Sequence, residues 1–502
     1  MRTFYKTFTR LTAAALLVAM MAAPGLAAKS TPATDKNVNV PAVPRAIPDL
    51  VPYHNFDPPA GAVFDATKLT ISGDMRVRPE YRNNNNLQHS TQSNPDNAFF
   101  TQQLIRLGFH YEISPDVVFF LQPQVSNNFG ATDSNIGGTN FNPGGPGNSG
   151  TNTNLFLRQG FMLVRNFLIP NLSLKAGRQL VVWGNHRIFG HFDWNNVGFA
   201  FDGVTMRYNH AQVPVELGWL VVAEGNCNQN AGGCGTTGAN NGDANILFAR
   251  LPMKFGPVAV EPAWILEEGG AGSTNPVGGQ QSDQTRHTLG ARVALKQGMV
   301  DATTEGYYQF GSIGNGGNGS AQTINAFAFH LDGGVTMPVP MQPRVGAEFN
   351  YASGSDNSSG NNRHTFSQLF PTNHIHFGYM DLMSWQNMLT YGGNLQMRPT
   401  ADSHFEISGT AMRLAQEEDC WYGAAQGCIF NAGQTNDQKS LGWELDVVYT
   451  LFFQNNKVGW QFGYGHFFTG DYISKNDKGN GTGSFANAAD QNWGYTQLWI
   501  NF

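Results

Sequence analysis

Charge is scarce in this chain. Only 13% of its 502 residues are Asp, Glu, Lys or Arg, about half the share of roughly 25% in an average globular protein. Basic residues are not in excess: 30 Lys and Arg face 36 Asp and Glu. That excludes the basic surface nucleic-acid binding requires. Long apolar runs are missing too. Beyond the first 30 residues the longest is Leu217–Ala223, with seven, where a membrane helix needs about 18. A bundle of membrane helices is excluded. Cysteine is limited to four residues. No Ser/His/Asp or paired-carboxylate arrangement stands out, so no catalytic residue, metal or cofactor is expected and the chain does not read as an enzyme.

The first 27 residues have their own logic. Arg2, Lys6 and Arg10 precede an apolar stretch from Leu11 to Ala23, and Pro24-Gly25-Leu26-Ala27 supplies small residues before a cut. That is the layout of a secretory signal peptide. Its loss removes three positive charges and takes the formal net charge from −6 to −9. Residues 28–66 follow with seven prolines and no period. They read as an extended periplasmic leader, with partial entry into a lumen as the sharper alternative.

From 67 to 502 the period is two. Leu69, Ile71, Met75, Val77 and Tyr81 alternate with Thr70, Ser72, Asp74, Arg76, Arg78 and Glu80. Ile105, Leu107, Phe109, Tyr111 and Ile113 alternate with Arg106, Gly108, His110 and Glu112. Successive side chains of a strand point to opposite faces, so each segment has one apolar and one wet face. Eighteen such segments run from 68–81 to 491–502, and the gaps between them alternate long and short. Gap 82–97 is followed by 114–116, 126–154 by 165–171, and 312–323 by 338–342. Long loops at one end and short turns at the other, with an even strand number, predict an all-β transmembrane antiparallel barrel with long extracellular loops and short periplasmic turns. Closure satisfies every strand edge in lipid.

Outer-membrane localisation in a Gram-negative-type bacterium follows, with lipid and lipopolysaccharide as surroundings. The terminal Trp499-Ile500-Asn501-Phe502 resembles the end strand by which barrel assembly machinery recognises such chains. Tyr81, Phe99, Trp219, Trp264, Tyr308, Trp460, Tyr464 and Trp493 are the candidates for interfacial aromatic girdles.

Gly177-Arg178-Gln179, the run His191–Val204, Pro343–Gly354 and Phe370–Asp381 followed by Trp385-Gln386-Asn387 resemble the alginate export family of outer-membrane barrels. The more specific motifs are Asp193-Trp194-Asn195 and His374-His376, with Asp381 closing the second. The resemblance implies an eighteen-stranded monomeric channel conducting an anionic polysaccharide, with periplasmic secretion partners. Alginate-secreting members carry a long periplasmic turn between strands sixteen and seventeen. Here that turn is Gln454-Asn455-Asn456 and its neighbours.

Parity alone also assigns a pore lining. Inward positions collect Arg76, Arg78, Arg106, Arg158, Lys175, Arg207, Arg292, Arg344 and Arg398. Against them stand Asp74, Glu112, Glu216, Asp301, Glu305, Glu348, Glu444 and Asp446. A charge facing lipid costs about 2–4 kcal/mol at the midplane, so these belong to the wet face. Either they form an arginine track for a carboxylated substrate or they pair across strands. Arg178 falls on the apolar parity and calls for a bulge. Cys227 with Cys234 and Cys420 with Cys428, with six and seven residues between them in two long loops, read as local disulfides. A metal site is the rival, but no histidine clusters with them. His374 and His376 would share a metal only from one face; packing within the loop is the favoured reading. The expected function is passage of an anionic polysaccharide, with a small-solute diffusion porin and a scaffold barrel sheathing a partner as alternatives.

Overall fold

The computed structural model describes residues 65–85, 87, 97–129, 154–223, 244–269, 284–315, 319–356, 361–430, 438–475 and 488–502. The leader expected over 28–66, apart from its last two residues, and the pair Cys227 and Cys234 lie outside the described residues.

Eighteen strands form one closed antiparallel barrel. They are β1 (Leu69–Asn83), β2 (Ala98–Ser114), β3 (Val117–Asn128), β4 (Asn154–Val164), β5 (Leu172–Gln179) and β6 (Phe201–Tyr208). Next come β7 (Val215–Ala223), β8 (Ala244–Arg250, resumed at Met253–Phe255), β9 (Val258–Gly269), β10 (Gln284–Gln297), β11 (Val300–Asn315) and β12 (Gly319–Thr336). The last six are β13 (Arg344–Ala352), β14 (Met388–Met397), β15 (Ser403–Leu414), β16 (Ser440–Phe453), β17 (Val458–Thr469) and β18 (Gln491–Asn501). Each pairs with the next, and β18 returns to β1 with Asp74 opposite Asn501 and Asn83 opposite Asn492. Phe502 seals the seam by exchanging backbone hydrogen bonds with Gly73, both 3.0 Å. Among the described residues this ring of pairings leaves no strand edge of the barrel wall for lipid to meet.

The alternation of the sequence is the alternation of the wall. Ile71, Met75, Leu107, Phe119, Leu289, Val345 and Leu498 are exposed on the outside, while Arg78, Gln102, Arg106, Glu305, Gln309, Asn350 and Glu444 are buried inside. At the turn end the chain reverses through left-handed residues that favour asparagine: Asn166 and Asn171 between β4 and β5, Gln454, Asn455 and Asn456 between β16 and β17.

Three expectations change. The gap expected at 312–323 shrinks to 316–318, because β11 and β12 keep pairing as far as Asn315 opposite Gly319. Trp493 is not a girdle residue: with Gln491 and Tyr495 it takes the inward parity of β18 and is buried. Register runs through Arg178 without a bulge, and Arg178 instead pairs with Asp202 on β6 at 2.6 Å. The irregularity sits one strand away, where Gln122 and Pro123 oppose Gln159 and Leu157 and leave Arg158 as the extra residue. Gly177 is required beside it. Its φ is +121°, and a Cβ there would lie 2.4 Å from the Gly160 carbonyl oxygen.

Candidate functional site in the lumen

Two connections at the loop end do not stay outside the wall. Residues 180–200, between β5 and β6, and the described parts of 353–387, between β13 and β14, turn into the barrel and pair with each other. Phe189 bridges Phe370; Gly190 N donates to the Phe370 carbonyl at 2.7 Å and Phe370 N to the Ile188 carbonyl at 2.9 Å. A Cβ on Gly190 would sit 2.3 Å from Thr372 Oγ1, so this close approach needs glycine.

What drives them inward is apolar area. Phe189, Phe366, Phe370, Phe377 and Trp385 pack on Leu220, Ile246, Phe248, Ile265 and Ala326, which are the inward residues at the loop end of β7, β8, β9 and β12. Each fully buried large side chain contributes about 1.5–3 kcal/mol relative to exposure. A bare aqueous pore would not carry apolar residues on its inner wall; here they are the seat of the inserted loops.

Polar groups then fix the loops to the rest of the wall. Arg187 reaches three strands: Glu305 of β11 at 3.3 Å, His330 of β12 at 3.1 Å, and Glu348 and Asn350 of β13 at 3.3 and 3.2 Å. On the opposite side Asp193 takes Arg106 of β2 at 3.0 Å and Arg158 of β4 at 2.8 Å. Arg76 of β1 donates to the carbonyls of Asp193 and Trp194 and to Asn196 Oδ1. Gln124 and Ser126 of β3 both donate to the Asn196 carbonyl at 2.6 Å. Asn195 turns the loop by accepting from Val197 N at 2.9 Å. The second loop is held by β16, whose Glu444 accepts from Met380 N at 2.9 Å and Asp446 from Tyr379 N at 3.4 Å. Contacts to nearly every quarter of the wall place both loops inside the lumen.

The two family-like motifs meet there. The His374 imidazole stacks on the Trp194 indole with centroids 3.6 Å apart, and the Arg78 guanidinium lies 3.6 Å from the same ring centroid. His374 Nδ1 donates to Asp381 at 2.9 Å. His376 points elsewhere, its Nε2 donating to the Asn185 carbonyl at 2.8 Å; the two histidines have different partners. Burial pushes His374 and His376 below the ordinary histidine value of 6.5, His376 strongly, with Arg187 adding to the effect on His376. Burial works against ionisation of Asp193, but Arg158 and Arg106 outweigh it and bring its carboxyl down to about 2.

Most inward cations named from the sequence are paired. Arg78 holds Glu80 at 2.7 Å, Arg106 holds Asp74 at 2.9 Å as well as Asp193, and Arg344 takes both oxygens of Asp301 at 2.9 and 2.6 Å. A chain of alternating charges crosses five strands: Arg207 to Glu216 at 3.3 Å, Glu216 to Arg250 at 3.1 Å, Arg250 to Glu261 at 3.2 Å and Glu261 to Arg292 at 3.5 Å. Lys175 lies 5.1 Å from the Phe161 ring centroid. Glu112 is exposed near the turn end, and Arg398 is exposed just past β14. The sequence reading missed Arg187, Arg250, Glu261 and His330. The available signal was Leu217–Ala223, apolar on both parities: Trp219 faces outward and is exposed, while Leu220 and Val222 are buried inward, where an aqueous lumen alone would not call for them.

A hairpin of Trp421–Tyr422 against Cys428–Phe430 caps the second loop. It is closed by the Cys420–Cys428 disulfide. Trp421 Nε1 donates to the Leu382 carbonyl at 2.9 Å and Asn387 Nδ2 to the Cys420 carbonyl at 3.0 Å. Beside the second loop remains a chamber of about 350 Å³ lined in part by Arg187, Asp332, Arg344, Glu348, Tyr379 and Glu406.

The sequence matches the alginate export family over residues 67–487. A search of curated proteins finds no match. Among solved structures, Pseudomonas aeruginosa OccK9 (OpdG) is similar with a TM-score of 0.55 at 10% identity, covering 87% of this chain and 99% of that one. Pseudomonas aeruginosa OccK8 (OprE) gives 0.54 at 11%, covering 87% and 98%, and Acinetobacter baumannii OccAB4 gives 0.52 at 11%, covering 87% and 99%. At such identities the likeness is one of fold.

Proposed function

The chain belongs to the alginate export family of outer-membrane channels, and from that premise we propose that it is a diffusion channel for small polar solutes. The observation that carries this is the pair of inserted loops bridged at Phe189 and Phe370. They fill the lumen with an aromatic core and leave a chamber of about 350 Å³. That volume sits near the low end of the roughly 300–1,000 Å³ of small-molecule sites, room for one small solute. Swelling of liposomes carrying the full chain tests it. Monosaccharides and amino acids should enter and oligosaccharides should not; equal entry of both would overturn the size limit.

A second reading, export of an anionic polysaccharide, is favoured by the cluster of Arg76, Arg106 and Arg158 on the loop around Asp193. In that reading the loop withdraws and a uronate chain takes over its guanidinium partners. Asp193→Asn should then raise the current block by polyuronate, and no block in either protein would remove this reading.

In both readings residues 1–27 direct export and are cut off, 28–66 face the periplasm, and Phe502 ends the strand presented to the assembly machinery. The barrel then works as a monomer among lipopolysaccharide. A mature chain starting at Ala28, read by mass spectrometry, tests the first step.

A further inference from the structure

The chamber has a charge ledger of its own. Two cations face it, Arg187 and Arg344, and each is already paired with an acid that does not line the chamber, Glu305 and Asp301 respectively. Arg344 gives Nε and Nη2 to Asp301 and Nη1 to Asn394; Arg187 gives Nε, Nη1 and Nη2 to Glu305, Asn350, His330 and Glu348. Three carboxylates face it as well, and none is used up. Asp332 bonds His330 through Oδ2, Glu348 is bonded through Oε1, and Glu406 accepts from Tyr379 and Gln396 through Oε2. Among the described residues the second oxygen of each has no hydrogen-bond partner. Asp332 and Glu348 are moreover direct cross-strand partners on β12 and β13, a placement that is destabilising for like charges. The buried unpartnered atoms of residues lining the chamber are acceptors too: Asn185 Oδ1, and His374 Nε2, whose ring proton is on Nδ1.

We infer that this chamber binds a cationic solute carrying an ammonium or guanidinium group, which would lie among the free oxygens of Asp332, Glu348 and Glu406. The inference rests on the diffusion-channel reading and names its substrate class. Ammonium and guanidinium groups are donors without acceptors, the complement of a wall with three carboxylates whose two arginines are each already paired with a further acid. A uronate would meet the opposite arrangement.

Planar-bilayer recording with the full chain tests it. The reversal potential in a KCl gradient should show preference for cations, and free arginine should block the current at lower concentration than free glutamate. Glu406→Gln, which keeps neutral partners beside it, should raise the arginine concentration for half block about tenfold, as loss of one charge-assisted hydrogen bond does. Anion preference, or glutamate blocking as well as arginine, would overturn the inference while leaving a channel. Block by Mg²⁺ but not by arginine would make this a metal site and overturn it as well. A chain that conducts nothing would overturn the channel reading itself.

Discussion

His374 lies flat against Trp194, with ring planes 8° apart, although the two residues come from different connections and are separated by 180 positions in sequence. Trp194 also carries the Arg78 guanidinium of the wall. One indole thus ties both inserted loops to β1. Trp194→Ala should cost about 2 kcal/mol of loop anchoring, the sum of a stacked pair and a partly desolvated cation–π contact. The barrel should keep its heat-modifiable migration on gels while single-channel conductance rises and grows noisier. Unchanged conductance would mean the stack does not hold the loops.

Acid should loosen the same joint. His374, beside Asp381, Arg78 and Glu80, and His376, beside Arg187, His330 and His186, have values lowered from 6.5 by burial. A base whose value falls on burial takes up its proton more readily in the open state, so the closed loops keep their advantage above about 6.5 and lose it as pH falls below that. Asp193 acts in a lower window. Its value drops from 3.8 to about 2, so its anchoring persists above about 4 and is lost only between there and about 2. Conductance should therefore climb between pH 7 and 5, and His374→Gln should flatten part of that climb. A flat profile in the parent protein counts against the histidines.

The disulfide should matter to the loop and not to the wall. Cys420 and Cys428 close a ring of nine residues, for which the chain-entropy relation gives about 2–3 kcal/mol. The eighteen-strand wall rests on its own backbone ladder. Reduction should leave barrel migration intact, raise proteolysis between 415 and 430, and release the Trp421 bond to Leu382. Unfolding of the barrel on mild reduction would contradict this division.

Topology has a direct check. Asp471→Cys, in the long connection before β18, should react with an impermeant thiol reagent on intact cells, and Asn455→Cys, in the short turn after β16, should not. The reverse pattern would invert the barrel in the membrane.

Much of this was legible in advance, for a physical reason. A strand's two faces are written at spacing two in the chain itself, so Leu107 outside and Arg106 inside could be read from neighbours. Pairing of Cys420 with Cys428 is equally local. The inserted loops are not local. Arg187 sits in a connection with no period, and its partners Glu305, His330 and Glu348 lie more than 100 positions away. Trp493 looked like a girdle residue because nothing beside it says that a tryptophan from another loop waits inside. The clue that was present, apolar residues on both parities of β7, needs the loop to explain it.

The alternating ladder from Arg207 to Arg292 separates paired from free charge in the pore. Arg207 is its exposed end, with about half its side chain open, and its pairing with Glu216 should contribute at most about 1 kcal/mol. Glu216 keeps Arg250 when Arg207 is lost, so Arg207→Ala should shift the reversal potential only slightly toward cations. Arg250 is different. It is buried and shared by Glu216 and Glu261, and its side chain also lies 5.2 Å from the Trp183 ring centroid. Arg250→Ala leaves two carboxylates short of a partner, at a cost of about 3–5 kcal/mol. The shift toward cations should be clearly larger than for Arg207→Ala. Both shifts should shrink in 1 M salt, where the Debye length falls to about 3 Å. If Arg207→Ala moved the reversal potential as far as Arg250→Ala, the arginines would be acting as a free track rather than as members of a paired ladder.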